Sequence, residues 1–253
     1  MTVKELYKNL SKYMPENLRL EWDNDGIMVS TDSSAEVGDV LITLDVTEEI
    51  VDYAIERGFN LIISHHPLIF RPVGAITEDT HVSRKIIKLI SNNISVFSFH
   101  TRADIANGGV NDILAHKFGL KNVVPFGEGG LGRIGTLDTE QELDVFAYNT
   151  KKALGADAIR VSDGYNTVKR VAVVGGDGKD FVSDAIAADA DTYVSGRLSY
   201  NVMEEASELG INLIEAGHYF TEFPITEYFA QLISKFEGNA DVEIADSNMI
   251  QTV

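Results

Sequence analysis

Two histidines stand side by side at His65-His66, and two more, His100 and His218, are each followed four residues later by an acid, Asp104 and Glu222. Imidazole nitrogen and carboxylate oxygen are ligands that Zn, Fe, Mn, Co and Ni all accept, so the grouping points to divalent metal binding. The chain has no cysteine, which excludes thiolate sites, disulfides and cysteine nucleophiles. Adjacent histidines on an extended chain project to opposite sides, so His65 and His66 are expected to serve two neighbouring ions instead of chelating one. Two cations need negative charge, and Asp104 and Glu222 are the natural suppliers, a carboxylate being able to bridge ions about 3.5 to 4 Å apart. Three imidazoles and two carboxylates shared between two ions leave positions open for water, as in a catalytic site. The expected ligand set is therefore His65, His66, Asp104, His218 and Glu222, with water as the nucleophile. For His100, ligation and support of Asp104 stand as equal readings. His81 and His116 read as surface or packing residues.

Each of these segments follows an apolar run with strand character, where open α/β sheets place their ligands. Asp39 to Asp45 reads as a buried strand, and Thr47-Glu48-Glu49 opens a helix with Thr47 as N-cap and Gly58 as its end. Ile50, Tyr53, Ala54 and Ile55 supply the apolar face of that helix. Asn60 to Ser64 is a second strand running into His65-His66, so a βαβ unit with parallel strands is predicted. The same grammar returns as a strand at Arg170 to Val174, a Gly175-Gly176-Asp177-Gly178 turn, a helix from Phe181 to Ala188 and a strand from Asp191 to Ser195. Ala54-Ile55 and Ser64 fall on Ala185-Ile186 and Ser195 at one offset of 131, which puts Gly196-Arg197 where the first copy has the histidine pair. His100 to Asp104 and His218 to Glu222 match at a second offset of 118. The expected fold is α/β, two related lobes from an internal duplication, facing each other. Residues 1–125 with 215–253 form the first lobe and 126–214 the second.

The formal charge is -18, from 39 Asp plus Glu against 21 Lys plus Arg. Such a field repels polyanions, so nucleic acid is not an expected partner, and a DNA-threading ring is opposed on the same ground. No apolar run approaches eighteen residues, and the first residues lack the apolar core of a secretory signal. The expectation is a soluble, cytoplasmic protein with no membrane partner.

Leu44-Asp45-Val46-Thr47, Leu61 to Phe70 around the doubled histidine, His100-Thr101 with Asp104, Gly108 to Asp112, and Ala216-Gly217-His218-Tyr219 with Glu222 resemble the GTP cyclohydrolase I type 2 (Nif-three-like) family, and Glu21-Trp22-Asp23-Asn24 fits as well. The likeness covers essentially the whole chain. It implies a dinuclear metal cleft between the lobes, His65, Asp104 and Glu222 holding one ion and His66, His218 and Glu222 the other. It also implies a homo-oligomer, a toroidal hexamer, in the minimal form without an inserted domain. Arg102-Ala103 replaces the family's usual Asn-Leu, and Gly196-Arg197 with Asn201 stands where a Gly-acid pair and a histidine often occur; both departures bear on substrate specificity.

The activity this implies is metal-dependent hydrolysis of a small molecule, a nucleotide among the candidates, by opening of a purine ring with loss of formate. A phosphatase or phosphodiesterase acting on small substrates is the second reading, and a non-catalytic adaptor braced by metal the third. Gly175 to Gly178 could approach a phosphate through its backbone amides, but such a lone glycine-rich stretch reads as a turn and not as a phosphate loop. Arg133, in the Gly127 to Arg133 stretch, is either an anion clamp or part of a flexible connection.

Overall fold

The computed structural model describes residues 1–236 and 240–253; residues 237–239, inside the segment 215–253 given to the first lobe, lie outside them. In chain order the strands are β1 (Gly26–Val29), β2 (Val40–Thr43), β3 (Leu61–Ser64), β4 (Ser95–Ser98), β5 (Lys121–Phe126), β6 (Gly132–Gln141), β7 (Arg160–Ser162), β8 (Val168–Asp177), β9 (Thr192–Arg197), β10 (Asn212–Glu215) and β11 (Val242–Ile244). They make a five-stranded sheet ordered β1-β4-β3-β2-β11 and a six-stranded sheet ordered β5-β6-β8-β9-β10-β7.

The chain divides into two compact units. The first comprises Met1–Ala106 and Ile225–Met249, the second Asn107–Pro224 and Ile250–Val253. Residues 107–125 and 215–224, which the repeat pattern gives to the first lobe, therefore cluster with the second unit. Both changes of unit fall directly after a His-x-x-x-acid helix, at 106/107 and 224/225.

In the first unit β2, β3 and β4 are buried at every position, which is why they read as unbroken apolar runs instead of alternating ones. They pair parallel, Thr43 opposite Ser64 and Ser64 opposite Ser98. β1 adds antiparallel to β4, and β11 parallel to β2. The helix Glu48–Arg57 forms as its caps require: the Thr47 hydroxyl accepts from Ile50 N at 3.1 Å, and Gly58 ends it in the left-handed conformation. Its buried residues are Ile50, Val51 and Ala54, which join Leu41, Ile62, Val96 and Leu89 in one core. Tyr53 and Ile55 only pack against that core's margin.

The second unit repeats the parallel core: β8 beside β9 and β9 beside β10, Val174 opposite Ser195 and Ser195 opposite Glu215. Ser64 and Ser195 thus hold equivalent register positions in the middle strand of each trio, as the offset of 131 requires, although β9 runs on to Arg197. The glycine-rich segment is not a free turn, because β8 continues through Gly175 and Gly176 to Asp177. A short 3-10 turn, Lys179–Phe181, then leads to a helix confined to Val182–Ala187. β5, β6 and β7 are antiparallel additions at the sheet's flanks. The helix Val110–Lys117 packs on β6 and β8, whereas its repeat counterpart Ile225–Ile233 packs on β2 and β11 in the first unit. The chain therefore exchanges the last helix of each repeat between units. Among the described residues no helix is long and apolar enough to cross a membrane.

Candidate metal centre

β3 stops at Ser64, and the chain bends through His65 and His66. The bend is pinned where β3 meets its neighbours. His65 N and His66 N donate to Thr43 O and Leu44 O at 3.3 and 3.0 Å, and the Ser64 hydroxyl donates to His66 O at 2.8 Å. Strand alternation ends with the strand, so the two rings do not point to opposite sides. Their centroids are 5.0 Å apart with planes at 48°, and those of His100 lie 5.3 and 5.6 Å away. His65, His66 and His100 each offer a ligand atom, all within 4.8 Å of one another. His65 is fully buried. Asp104, buried in the helix Thr101–Ile105, brings Oδ1 to 3.6 Å from His65 Nε2.

Each of the three rings is anchored through Nδ1. His65 Nδ1 donates to Phe99 O at 2.9 Å; His66 Nδ1 is 2.8 Å from Asp45 Oδ1 and His100 Nδ1 is 2.8 Å from Asp23 Oδ1. A carbonyl or carboxylate on Nδ1 fixes the tautomer and leaves the lone pair on Nε2. That is how metal-binding imidazoles are held, with a carboxylate or carbonyl on the other nitrogen. The donor set therefore fits a divalent cation.

Asp23 is the hub of this support. Its other oxygen accepts from Thr101 N at 3.1 Å and from the Thr101 hydroxyl at 2.7 Å. Burial alone would raise its pKa, but the hydrogen bond and charge of His100 together with the Thr101 bonds outweigh burial and bring it down to about 2. Burial would lower the pKa of His100, and the Asp23 hydrogen bond with the Asp104 and Asp23 charges reverses this, leaving it raised. Asp25 accepts from His100 N at 3.2 Å and from Arg102 Nε at 3.0 Å.

Arg102 points into the core. It is fully buried, donates to Met14 O and the Tyr7 hydroxyl at 3.2 and 2.9 Å, and lies 4.5 Å over the Phe99 ring. Arg102 thus serves core packing and is closed to contact with a substrate. Arg133, also buried, bonds Asp112 and the carbonyls of Gly130 and Gly132, and so braces its own loop. Neither the anion clamp nor the flexible connection describes it. Arg197 is exposed and 3.7 Å from Asp177.

In the second unit His218 and Glu222 lie on one face of the helix His218–Glu222, with Nε2 and Oε2 2.9 Å apart. Glu222 is buried, while the His218 side chain is 42% exposed. The glycines of β8 and β9 make room for this helix. A Cβ on Gly176, whose φ is +66°, would lie 2.0 Å from Glu222 Oε1. One on Gly196 would meet the Thr221 hydroxyl at 2.5 Å and His218 Cα at 2.8 Å. Thr221 closes the contact, its hydroxyl accepting from Gly176 N at 3.1 Å and donating to His218 O at 2.8 Å. Gly176 and Gly196, which the sequence presents as part of a turn and as the counterpart of the histidine pair, owe their role to the close approach of the Glu222 helix. Their signal was small residues in place of larger ones at the ends of two strands.

An α/β protein with two mixed sheets and histidine-carboxylate groups just past the ends of parallel strands is, by class, a candidate metalloprotein. The chain belongs to the DUF34/NIF3 (NGG1p interacting factor 3) family, whose model matches residues 1–252. A Clostridium perfringens relative named GTP cyclohydrolase 1 type 2 homolog is 35% identical over 250 residues, covering 96% of this chain and 95% of its own. A Bacillus subtilis relative of the same name is 26% identical with 97% of both chains covered. That alignment runs to 362 positions against a chain of 253, so the relative carries residues this chain lacks. Among solved structures, a Bacillus cereus protein related to NIF3 superposes with a TM-score of 0.87 at 26% identity, covering 100% of this chain and 99% of that one.

Proposed function

We propose that the protein is a metal-dependent hydrolase in which His65, His66, Asp104, His218 and Glu222 hold two divalent ions. The observation that carries this reading is the anchoring of His65 and His66 through Nδ1, to Phe99 O and Asp45, with Asp104 beside His65 Nε2. The built seat for Glu222 at Gly176 supports the second unit's contribution. When bound, such ions supply a Lewis acid that polarises a substrate and acidifies water. The chain's own residues do the rest: Phe99 O and Asp45 hold His65 and His66 in the ligating tautomer, and Gly176 and Thr221 seat the Glu222 helix.

The relatives' name suggests GTP as substrate, with attack of water on the purine ring and release of formate. Metal-loaded protein incubated with GTP should release formate. Release of phosphate from simple phosphoesters without formate would replace this reaction with phosphoester hydrolysis, and neither product would remove the hydrolase reading. Assembly as a homo-oligomer, a hexamer by family resemblance, is part of the proposal; a monomer in sedimentation would overturn that part alone.

A further inference from the structure

Trp22 and Phe70 are absent from the ligand set, yet both rings lie beside His100 and face solvent. Trp22, the single tryptophan of the chain, is 57% exposed and Phe70 is 42% exposed. Their centroids are 6.3 Å apart with planes at 69°. His100 completes a corner, 6.1 Å from Trp22 at 78° and 6.3 Å from Phe70 at 87°. Three rings nearly at right angles to one another meet edge to face, which is favourable among themselves and leaves broad π faces open.

The corner is held rigidly from behind. Asp23, the residue after Trp22, is bonded to His100 and Thr101, and the Asn24 side-chain amide donates to Ile69 O, next to Phe70. Two loops are thus tied together by polar bonds on either side of a pair of exposed rings. Large apolar surface left in water costs free energy, and a rigid exposed aromatic pair beside a polar site is the form of a ligand wall. Beside it Arg71 is exposed, its guanidinium 5.8 Å from the centre of the Phe70 ring.

We infer that Trp22, Phe70 and Arg71 form a nucleotide subsite: a purine base stacks on the Trp22 face and the phosphates pair with Arg71. A planar heteroaromatic ring is the ligand that matches an open indole face, and such stacking tolerates any base because every base has a π face. An anion approaching a chain of charge -18 needs a local cation, and guanidinium suits phosphate in particular. The other guest of aromatic corners, a quaternary ammonium, is disfavoured here by the neighbouring Arg71 charge. This inference rests on the hydrolase reading and gives its substrate class.

Because Trp22 is the only tryptophan, its fluorescence, excited beyond the tyrosine band, reports on this corner directly. Protein as purified and protein treated with a chelator should be titrated with guanosine, GTP and inorganic tripolyphosphate. Guanosine and GTP should quench saturably, and tripolyphosphate should not. Phe70→Ala should weaken both quenchers, within the about fivefold to hundredfold range of one stacking contact. Arg71→Ala should weaken GTP alone, leaving guanosine unchanged. Circular dichroism of both variants shows that they fold. Absence of quenching by guanosine and GTP, or equal quenching by tripolyphosphate, would overturn the subsite. Quenching by tetramethylammonium alone would do the same. Stacking that survives chelation, in a protein that never takes up metal, would instead sink the hydrolase reading and leave the aromatic corner standing.

Discussion

Gly176→Ala tests whether β8 is shaped around Glu222. Two costs arise. The first is conformational: at φ +66° an alanine pays about 1 kcal/mol relative to glycine. The second is steric, since the new methyl would sit 2.0 Å from Glu222 Oε1 and 3.3 Å from His218 Nε2. The carboxylate must then retreat by roughly an ångström or more, and forcing such a shift in a packed site costs about 1 to 3 kcal/mol. Gly155 supplies the control, because it has the same φ of +66° with nothing within 4 Å of its Cβ position. Gly155→Ala should therefore lose about 1 kcal/mol and Gly176→Ala about 2 to 4 kcal/mol, read from urea unfolding midpoints at a common slope. Metal uptake should fall only in Gly176→Ala, because only there is Glu222 displaced. Equal destabilisation of the two variants, or full metal uptake by Gly176→Ala, would refute the argument.

Asp45→Ala removes the carboxylate on His66 Nδ1 at a half-exposed position, so metal affinity should fall about 10- to 100-fold with little loss of fold, checked by competition with a chromogenic chelator. Arg102→Met strands the buried Asp25 carboxylate and should destabilise by about 3 to 5 kcal/mol; adding Asp25→Leu should recover part of that loss in urea unfolding. Asp23 has a folded pKa of about 2 against an ordinary 3.8, so its contribution is present above 3.8 and is lost as pH falls from 3.8 toward 2. The shift corresponds to about 2 kcal/mol, and Asp23→Asn should flatten that acid limb of the stability curve while lowering stability at neutral pH. Chelation should lower the thermal midpoint, since a metal held at a hundredfold excess over its dissociation constant adds about 2.7 kcal/mol.

Local chemistry was the legible part of this chain. The buried strands β2, β3 and β4 announced themselves as apolar runs because both sheet faces are covered, and Thr47 and Gly58 bound their helix as cap preferences require. The repeat was legible because Ser64 and Ser195 stand at the same register in equivalent strands at one offset. What escaped depends on contacts distant in sequence. Nothing near Asp23 in the chain points to His100, 77 residues on, as its partner. The inward turn of Arg102 is decided by Tyr7, Met14 and Asp25, none of them adjacent. His65 and His66 depart from strand alternation because β3 ends at Ser64 and a bend takes over. The unit breaks at 106/107 and 224/225 differ from the expected 125 and 215 because each repeat gives its last helix to the other unit, an exchange that leaves no trace in hydrophobic periodicity.

The central claim is that His65, His66, Asp104, His218 and Glu222 act together as ligands. Elemental analysis of protein purified without added metal, alongside Glu222→Gln and His218→Ala, tests it most directly. About two divalent ions per chain are predicted in the unaltered protein, with both diminished in Glu222→Gln and mainly one in His218→Ala. A chain purified free of metal that also takes none up on addition, or two variants as fully loaded as the parent, would contradict the account.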